Sequence, residues 1–316
     1  MSASPKFYCD RGLFLLPSRL ALDVTRRQPI GFISHAHMDH VAKHETTLCT
    51  APTAAMLEKR VGMSNFKILD FNKPIDFLDL RLTAHNAGHI FGSAMLLVEE
   101  DGGSLLYTGD FRLSESATAG KVNLPQADTL IMECTFGKPR YRLPPRKETI
   151  EILIDKVNAA FQVGATPVIH AYVLGKAQEV TKILTSAGIK VLQHPAIYEM
   201  SQLYQQCGCD LGGFALYEDR PKPNHAVIIP PKSQKIPQLQ GIIHKQTFSV
   251  TGWALGGEVL KKHHADHVIP LSDHADFDEL LETVDRVNPT TVYCTHGPKT
   301  FVDHLLDRGH NARWLE

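Results

Sequence analysis

Residues 35–40 read His-Ala-His-Met-Asp-His, and this stretch of a 316-residue chain guides the interpretation of the rest. It places four potential metal ligands in six residues, directly after Pro-Ile-Gly-Phe-Ile-Ser at 29–34, an apolar run that predicts a short buried strand. Alternate side chains at a strand end share a direction, so His35 and His37 can point together. Four strong ligands on one tight loop are hard to explain by loop hydrogen bonds alone, so the stretch predicts a metal site.

Further ligands are expected at other strand ends, because one loop cannot complete two coordination spheres. His89, Asp110 and His296 each follow an apolar strand candidate. A single histidine at a strand end is more often an ordinary polar residue, but three such residues in this order favour a metal site. Asp110 carries a carboxylate that can bridge two cations, and two cations roughly 3.5 to 4 Å apart bring the pKa of a shared water towards neutrality. The pattern therefore predicts a two-metal hydrolytic centre.

Two kinds of segment follow one another along the chain. The first part predicts strands and a single helix, and the segment from residue 144 predicts alternating helices and strands, which is typical of a parallel-rich sheet covered by helices. We expect a first domain in two parts, 1–143 and 263–316, with an inserted domain at 144–262. The expected strands are 29–34, 46–50, 80–85, 94–99, 105–108, 128–133, 167–170, 190–192, 226–229, 247–251, 268–271 and 291–294, and the expected helices start at Pro52 and span 147–161, 174–187 and 196–206.

Composition excludes some classes and leaves the substrate open. The net charge is −1, so no overall positive field attracts a polyanion, and basic runs at 140–147 and 261–262 resemble ordinary solvated surface. No apolar run approaches the roughly 20 residues of a membrane helix, and the N-terminus lacks a signal-peptide pattern. Six cysteines without a CxxC pair are typical of reduced thiols. We therefore expect a cytoplasmic protein without a membrane partner.

The His-rich loop, Asp23, His89 and Asp110 together resemble the ordered motifs of metallo-β-lactamase-fold hydrolases, and the resemblance spans the whole chain. It implies an α/β fold, an αββα sandwich, with two divalent cations, zinc being expected and manganese the alternative. It also implies a hydroxide bridging the cations as nucleophile, with Asp39 among the catalytic residues. By this resemblance, His35, His37 and His89 hold one cation, Asp39, His40 and His296 hold the second, Asp110 bridges them, and Asp23 orients the loop.

Later motifs resemble the β-CASP nucleases, whose cap domain is inserted in this fold. Glu133 in Glu-Cys-Thr-Phe-Gly, His274 in Ser-Asp-His-Ala-Asp and His296 in Thr-His-Gly match the three additional motifs, which implies that Glu133 and His274 form a catalytic pair. Lys176 opens a predicted helix within Gly-Lys-Ala-Gln, which the β-CASP cap also carries, so a phosphate contact is expected, the alternative being a plain surface lysine. Phosphate contacts are also assigned to Arg140 and Arg142.

Among these nucleases, the chain looks most like bacterial ligase-associated DNA exonucleases, also labelled messenger-RNA 3′-end-processing-factor-like. That resemblance implies hydrolysis of phosphodiester bonds, with single-stranded DNA as the favoured substrate, RNA as the alternative, and a ligase or helicase of DNA repair as partner. Two other classes stay open: a thiolester or lactone hydrolase that has adopted the cap, and a scaffold without catalysis. A scaffold would have lost metal ligands, and none is missing from the motifs.

Overall fold

The computed structural model describes residues 5–218, 220–231, 241–255 and 265–316. The strands are β1 (Phe7–Cys9), β2 (Leu13–Leu15), β3 (Ala21–Leu22), β4 (Ile30–Phe32), β5 (Thr46–Cys49), β6 (Phe66–Ile68), β7 (Ile75–Phe77), β8 (Leu80–Asn86), β9 (Ala94–Glu100), β10 (Gly103–Tyr107), β11 (Thr129–Glu133), β12 (Thr166–His170), β13 (Lys190–Gln193), β14 (Phe214–Leu216), β15 (His225–Ile229), β16 (Lys245–Val250), β17 (His267–Ile269), β18 (Thr291–Thr295) and β19 (Ala312–Trp314). The helices are α1 (Ala51–Val61), α2 (Arg146–Gln162), α3 (Lys176–Ser186), α4 (Pro195–Gln206), α5 (Phe277–Val287) and α6 (Thr300–Asp307). Within the described ranges, no helix is both long and apolar enough to cross a membrane.

The chain divides into two compact units, of which unit 1 comprises residues 1–115, 119–139 and 274–316. It contains two sheets, one with the order β1-β2-β3-β4-β5-β6 and one with the order β19-β18-β11-β10-β9-β8-β7. The second sheet is antiparallel from β7 to β10, whereas β10, β11, β18 and β19 run parallel. The carboxyl ends of β10, β11 and β18 therefore lie along one edge of this sheet.

Unit 1 buries apolar side chains in layers. Leu15 and Phe32 of the first sheet share one core with Leu96 and Ile131 of the second, so the sheets pack face to face. The other face of the second sheet is covered by α5 and α6, whose apolar residues join Met132 in a separate core. Together with α1, which contacts β6 of the first sheet, this gives helix-sheet-sheet-helix layering.

Local signals determine where the helices of unit 1 begin and end. Thr50 accepts a hydrogen bond from Thr53 N at the start of α1, and Gly62 ends that helix in a left-handed conformation with φ of 66°. In α5, the Asp276 side chain accepts from Glu279 N while the Glu279 side chain reaches back to Asp276 N, which forms a capping box. These residues satisfy backbone groups that a helix end would otherwise leave unpaired.

Unit 2 comprises residues 116–118 and 140–273. Its six-stranded sheet has the order β14-β13-β15-β12-β16-β17, and each neighbouring pair is parallel. Leu153 of α2 and Val180 of α3 pack against one face of this sheet, beside Ile169 and Ile228. A smaller core that includes Val168 covers the other face.

The strands and helices predicted from the apolar pattern are present in the structure, with shifts of at most two residues at their ends. The predicted α/β class and the parallel-rich sheet after residue 144 are confirmed. The domain limits at 144 and 262 stay a prediction, since residue 262 and the basic pair Lys261 and Lys262 lie outside the described residues.

Candidate metal centre

The histidine-rich loop is fixed at both of its ends. Ile33 N donates to Leu48 O at 3.0 Å, which extends the pairing of β4 with β5 up to the start of the loop. At the other end Met38–His40 form a 3₁₀ turn, in which His40 N donates to His37 O at 3.1 Å. The loop is therefore short, and its imidazole rings are brought back towards one another.

Asp23 connects this loop to the body of unit 1. Its side chain is only 2% exposed, and its carboxylate accepts from Ser34 N at 2.7 Å, Ser34 Oγ at 2.5 Å and Tyr107 OH at 2.9 Å. The same carboxylate accepts from His40 Nδ1 at 3.0 Å, which fixes the ring with its Nε2 3.3 Å from Asp110. A carboxylate behind an imidazole holds the ring orientation that a metal ligand needs. The predicted orienting role of Asp23 thus has a geometric basis.

Sequence patterns did not single out Tyr107, although its hydroxyl is one of the donors to Asp23. The two residues lie 84 positions apart. Burial and the adjacent Asp23 carboxylate raise the pKa of the Tyr107 hydroxyl well above its ordinary value, so it stays a hydrogen-bond donor. Tyr107 ends β10, three residues before Asp110, and this position was the only sequence feature that pointed to it. An ordinary core tyrosine can occupy the same position.

Four predicted ligands converge at one point of unit 1. His35 Nε2 lies 3.1 Å from His37 Nδ1, and His89 Nε2 lies 3.1 Å from the same atom. Asp110 Oδ2 lies 3.6 Å from His35 Nε2 and 3.9 Å from His89 Nε2. The donor atoms of these four residues all lie within 4.8 Å of one another.

This arrangement fits a cation better than a set of hydrogen bonds. His37 Nδ1 has two ring nitrogens at 3.1 Å, but it can donate a hydrogen to only one of them. A tetrahedral zinc ion with bonds of about 2.0 to 2.1 Å to nitrogen holds its ligand atoms about 3.3 Å apart. The separations of 3.1 to 3.9 Å bracket that value, so the side chains present suit a bound divalent metal.

The protonation states also suit metal binding. Burial, and then the neighbouring His40 and His89 rings, lower the pKa of His35 well below its ordinary value. Burial alone would raise the pKa of Asp110, but the adjacent His40 and His274 rings outweigh it and hold that pKa well below its ordinary value. A neutral imidazole and an ionised carboxylate are the forms that ligate a cation.

A second group of predicted ligands borders the same carboxylate oxygen of Asp110. His40 Nε2 lies 3.3 Å from Asp110 Oδ2 and 4.0 Å from Asp39 Oδ2. The His296 ring stacks on that of His40, with centroids 5.5 Å apart and an interplanar angle of 30°. Asp110 Oδ2 is therefore in contact with both groups, as expected for a bridging carboxylate.

This second group is more open than the first. The Asp39 side chain is 81% exposed, and His296 is also exposed. Within the described part of the chain, neither residue belongs to a group whose donor atoms all lie within 4.8 Å of one another. Burial opposes a charge on His40, but Asp110 and Asp23 raise its pKa to about 11. A cation that binds His40 must therefore displace a proton.

Glu133 and His274 form a close pair beside the first group. His274 Nδ1 donates to Glu133 Oε1 at 2.8 Å, and Thr135 N donates to Glu133 Oε2 at 2.9 Å. The Glu133 side chain is 1% exposed, whereas that of His274 is 21% exposed. The His274 ring lies 4.6 Å from that of His89 between centroids, so the partly exposed imidazole borders the first group. The pairing predicted for these two residues is present, and its catalytic role stays a prediction.

Parallel pairing of β11 and β18 explains how residues distant in sequence meet here. Glu133 pairs with Thr295, so His296 follows directly at the same sheet edge. His296 adopts a left-handed conformation with φ of 48°. Gly297 lies against the backbone of Cys134, where an added Cβ atom would overlap the Cys134 carbonyl. The glycine thus allows the two strand ends to approach closely.

Lys176, predicted to contact phosphate, lies in the interior of unit 2. It is 1% exposed, and its ammonium group donates to Leu271 O at 2.9 Å and lies 3.3 Å from Asp273 Oδ1. The group is not presented to solvent, so a phosphate contact would require these two partners to be released. The burial weighs against the prediction.

Arg140 and Arg142 are exposed, in agreement with what their predicted role requires. The Arg140 guanidinium lies 4.9 Å from the centroid of the Tyr141 ring and donates to its hydroxyl at 3.0 Å. Trp253 contacts the same tyrosine edge to face, at 5.5 Å between centroids, and is 40% exposed. Unit 2 therefore presents a small aromatic and basic surface, and phosphate contacts by the two arginines stay a prediction.

Known proteins connect this geometry to a family. A family profile described as "Zn-dependent metallo-hydrolase RNA specificity domain" matches residues 262–314, which include His274 and His296. The chain is 36% identical over 307 residues, 96% of its length, to a "Probable DNA ligase" from Opitutus terrae. It is 28% identical over 179 residues to an "RNase J-like protein" from Methanocaldococcus jannaschii. The chain belongs to the β-CASP metallo-β-lactamase family.

The β-CASP metallo-β-lactamase relatives are longer than this chain. It spans 30% of the Opitutus protein and 42% of the Methanocaldococcus protein. It also matches "Cleavage and polyadenylation specificity factor subunit 3" from Dictyostelium discoideum, with 27% identity over 66% of this chain and 32% of that protein. Among solved structures, a protein of unknown function from Enterococcus faecalis V583 aligns with a TM-score of 0.57, covering 84% of this chain and 75% of that one. At 14% identity, this alignment supports the fold alone.

Proposed function

We propose that this chain is a metal-dependent nuclease that hydrolyses phosphodiester bonds, with single-stranded DNA as its substrate and strand ends as its point of attack. The observation that carries the proposal is the convergence of His35, His37, His89 and Asp110 beside the Glu133–His274 pair. The first group is a cation site by its donor set, and the pair supplies an acid beside it.

The residues divide into two ligand sets that share one carboxylate. His35, His37 and His89 would hold one divalent cation, Asp39, His40 and His296 a second, and Asp110 would contact both. Zinc suits the imidazole-rich set, and manganese is the alternative. When bound, such cations lower the pKa of a water molecule and offset the negative charge of a phosphodiester. Asp23 holds His40 in place for this role through the 3.0 Å hydrogen bond.

His274 is the proposed general acid. Its Nδ1 is engaged by Glu133, so Nε2 is the nitrogen that can give a proton to the leaving oxygen as the phosphorus–oxygen bond breaks. The buried Glu133 carboxylate favours the protonated ring electrostatically and fixes its orientation, while Thr135 N fixes the carboxylate. After bond cleavage, the neutral ring regains a proton from solvent through its exposed edge.

The extent of the alignments with relatives favours DNA over RNA as the substrate. The Opitutus protein, named a probable DNA ligase, aligns with 96% of this chain, whereas the RNase J-like protein aligns with 49%. The same alignment supports a DNA ligase as a partner of this chain in strand repair. RNA stays the alternative substrate, because the profile at 262–314 is described as an RNA specificity domain.

The test is a comparison of strands. Zinc- or manganese-loaded protein is incubated with end-labelled single-stranded DNA and with RNA of the same sequence, alongside an Asp39→Ala variant. Stepwise shortening of DNA that is faster than that of RNA, and absent in the variant, is the expected result. Faster shortening of RNA would replace DNA by RNA in the proposal. Inactivity on both strands, with turnover of a thiolester or lactone, would overturn it in favour of a small-ester hydrolase.

A further inference from the structure

A cavity of about 410 Å³ opens within unit 1 beside the second ligand group. Asp39 and His296 border it at one end, and Cys9, Arg11 and Thr25 border it elsewhere. Neither the sequence motifs nor the relatives assign a role to Cys9, Arg11 or Thr25. We call this cavity the Arg11 pocket.

The wall of the Arg11 pocket is formed by a braced hairpin turn between β1 and β2. Asp10 N donates to Gly12 O at 3.0 Å, and Arg26 donates to Asp10 O at 2.6 Å and to its carboxylate at 3.2 Å. Gly12 packs so closely that an added Cβ atom would lie 2.7 Å from Val24 Cγ2. The turn is therefore held against the segment that follows β3, which gives the pocket a fixed wall.

The lining presents apolar and polar surface in similar amounts. Leu13, Leu22 and Leu315 supply apolar surface. The Thr25 and Thr295 hydroxyls supply hydrogen-bonding groups, and Asp23 and Glu316 add carboxylates that can accept hydrogen bonds from a sugar or a base edge. The Arg11 side chain is 87% exposed, so its guanidinium is accessible from the pocket opening. The volume lies within the range of roughly 300 to 1,000 Å³ that is typical of sites for small organic molecules, and the polar share of the lining suits a ligand with hydroxyl and amino groups.

The position of the Arg11 pocket limits what can occupy it. Asp39 and His296 are proposed ligands of the reacting centre, so a molecule in the pocket is attached to, or adjacent to, the phosphate that reacts there. The apolar surface suits the faces of a base, and the hydroxyl and guanidinium groups suit a sugar and base edges. A volume of about 410 Å³ suits one nucleoside and not a longer stretch of strand.

We infer that the Arg11 pocket receives the terminal nucleoside of the strand, so that each cleavage removes a single nucleotide. This inference rests on the proposed nuclease function and adds to it the place where the terminal nucleoside binds before it is released. It also predicts that nucleoside monophosphates bind to the protein without any strand attached.

The first test uses the cysteines of the chain as reporters. Cys9 borders the pocket and Cys207 lies in unit 2; both are half-buried, and burial raises the pKa of both thiols. Alkylation by iodoacetamide is followed at each site by peptide mass spectrometry, with deoxyadenosine 5′-monophosphate, its 3′ isomer or inorganic phosphate present. We expect at least one nucleotide isomer to slow the modification of Cys9 more than fivefold and leave Cys207 unchanged. Equal effects of inorganic phosphate and nucleotide on Cys9 would overturn the inference.

The second test fills the pocket. Thr25 is exposed at the lining, and Thr25→Trp places an indole in the cavity. Thr300→Trp is the matched control, because Thr300 is exposed at the start of α6 and does not line the pocket. By titration calorimetry, Thr25→Trp is expected to lower the affinity for the protecting nucleotide at least tenfold, and the control is expected to keep it. An unchanged affinity of Thr25→Trp for the nucleotide would show that the nucleotide does not bind in the Arg11 pocket.

The two proposals fail in different ways. If the protein shortens DNA but neither nucleotide protects Cys9, the nuclease function stands and the nucleoside site is rejected. If a nucleotide protects Cys9 but the protein cleaves neither DNA nor RNA, the nucleotide site stands and the proposed nuclease function is rejected. Release of products longer than one nucleotide by an active protein would also contradict the inference.

Discussion

His274 Nδ1 donates to Glu133 Oε1 at 2.8 Å across 141 positions of sequence. The carboxylate is buried and the imidazole is partly exposed. A fixed buried anion behind an accessible imidazole is the arrangement that a general acid requires, because it orients the ring and stabilises its charged form.

Replacement of His274 by alanine should therefore slow the chemical step while the cations stay bound. We expect kcat/KM on single-stranded DNA to fall by about 10² to 10⁴-fold, the usual contribution of a general acid. Metal content, measured by mass spectrometry, should stay at the wild-type level. His310→Ala is the control, since His310 also faces a carboxylate, Asp285 at 3.3 Å, on the surface of unit 1. A full rate in His274→Ala would refute the assignment.

Asp110→Asn should remove both metal and activity. Asp110 Oδ2 lies within 3.9 Å of His35, His40 and His89 nitrogens, and an amide has no charge with which to balance two cations. We expect bound metal per chain to fall to background after dialysis. Asp303→Asn, at an exposed position of α6, should retain it. Retention of two cations by the Asp110 variant would contradict the bridging role.

Metal binding should release protons. Burial opposes a charge on His40, but Asp110 and Asp23 raise its pKa to about 11, so below that pH both ring nitrogens carry a proton and a cation must displace one of them. Affinity for the second cation should consequently rise with pH, by about tenfold per unit in this range. Calorimetry in two buffers of different ionisation enthalpy measures the protons released. Asp23→Asn removes one of the carboxylates that raise this pKa, so it should reduce the release at mildly alkaline pH.

Gly297→Ala should destabilise unit 1 and disturb His296. An added Cβ atom would overlap the Cys134 carbonyl, and overpacking of this kind typically costs about 1 to 3 kcal/mol. Gly213→Ala is the control, because its Cβ atom would meet open space. Thermal unfolding of the two variants gives the comparison, and equal stability would show that the strand ends can separate freely.

The basic residues of unit 2 should separate into two classes. Arg140→Ala and Arg142→Ala should each reduce the slope of binding against salt concentration by about 1, as expected when a phosphate contact is lost. Lys176→Met should mainly lower the free energy of unfolding, by about 3 kcal/mol, because it leaves the buried side of Asp273 without its cation. A change in salt slope for Lys176→Met, with unchanged stability, would restore the direct phosphate contact.

Local patterns in the sequence predicted much of the fold. The run before His35 predicted β4, and the helix beginning near Pro52 ends at Gly62 as expected, because strand apolarity and helix caps are properties of adjacent residues. Asp110, Glu133 and His296 lie at one edge of the second sheet, since the parallel strands β10, β11 and β18 bring their carboxyl ends together. The Glu133–His274 pairing came from family resemblance and not from any local pattern.

Other features have no local signal. Tyr107 OH reaches Asp23 through the packing of two sheets, so neither residue's neighbours in sequence indicate the contact. The Arg11 pocket likewise depends on a hairpin turn, a loop after β3 and the strand end at Thr295, three segments far apart in the chain.

The sequence by itself determined the ligand types, their order and the strands that carry them, because spacing and periodicity encode short-range geometry. Only the tertiary structure decided which potential ligand atoms lie close together, which carboxylate contacts His40, and that Lys176 is buried against Leu271 and Asp273. The physical reason is that burial and long-range contacts arise from how sheets and helices pack. The sequence predicts that Lys176 begins a helix, but it does not show that this end of the helix is packed inside unit 2.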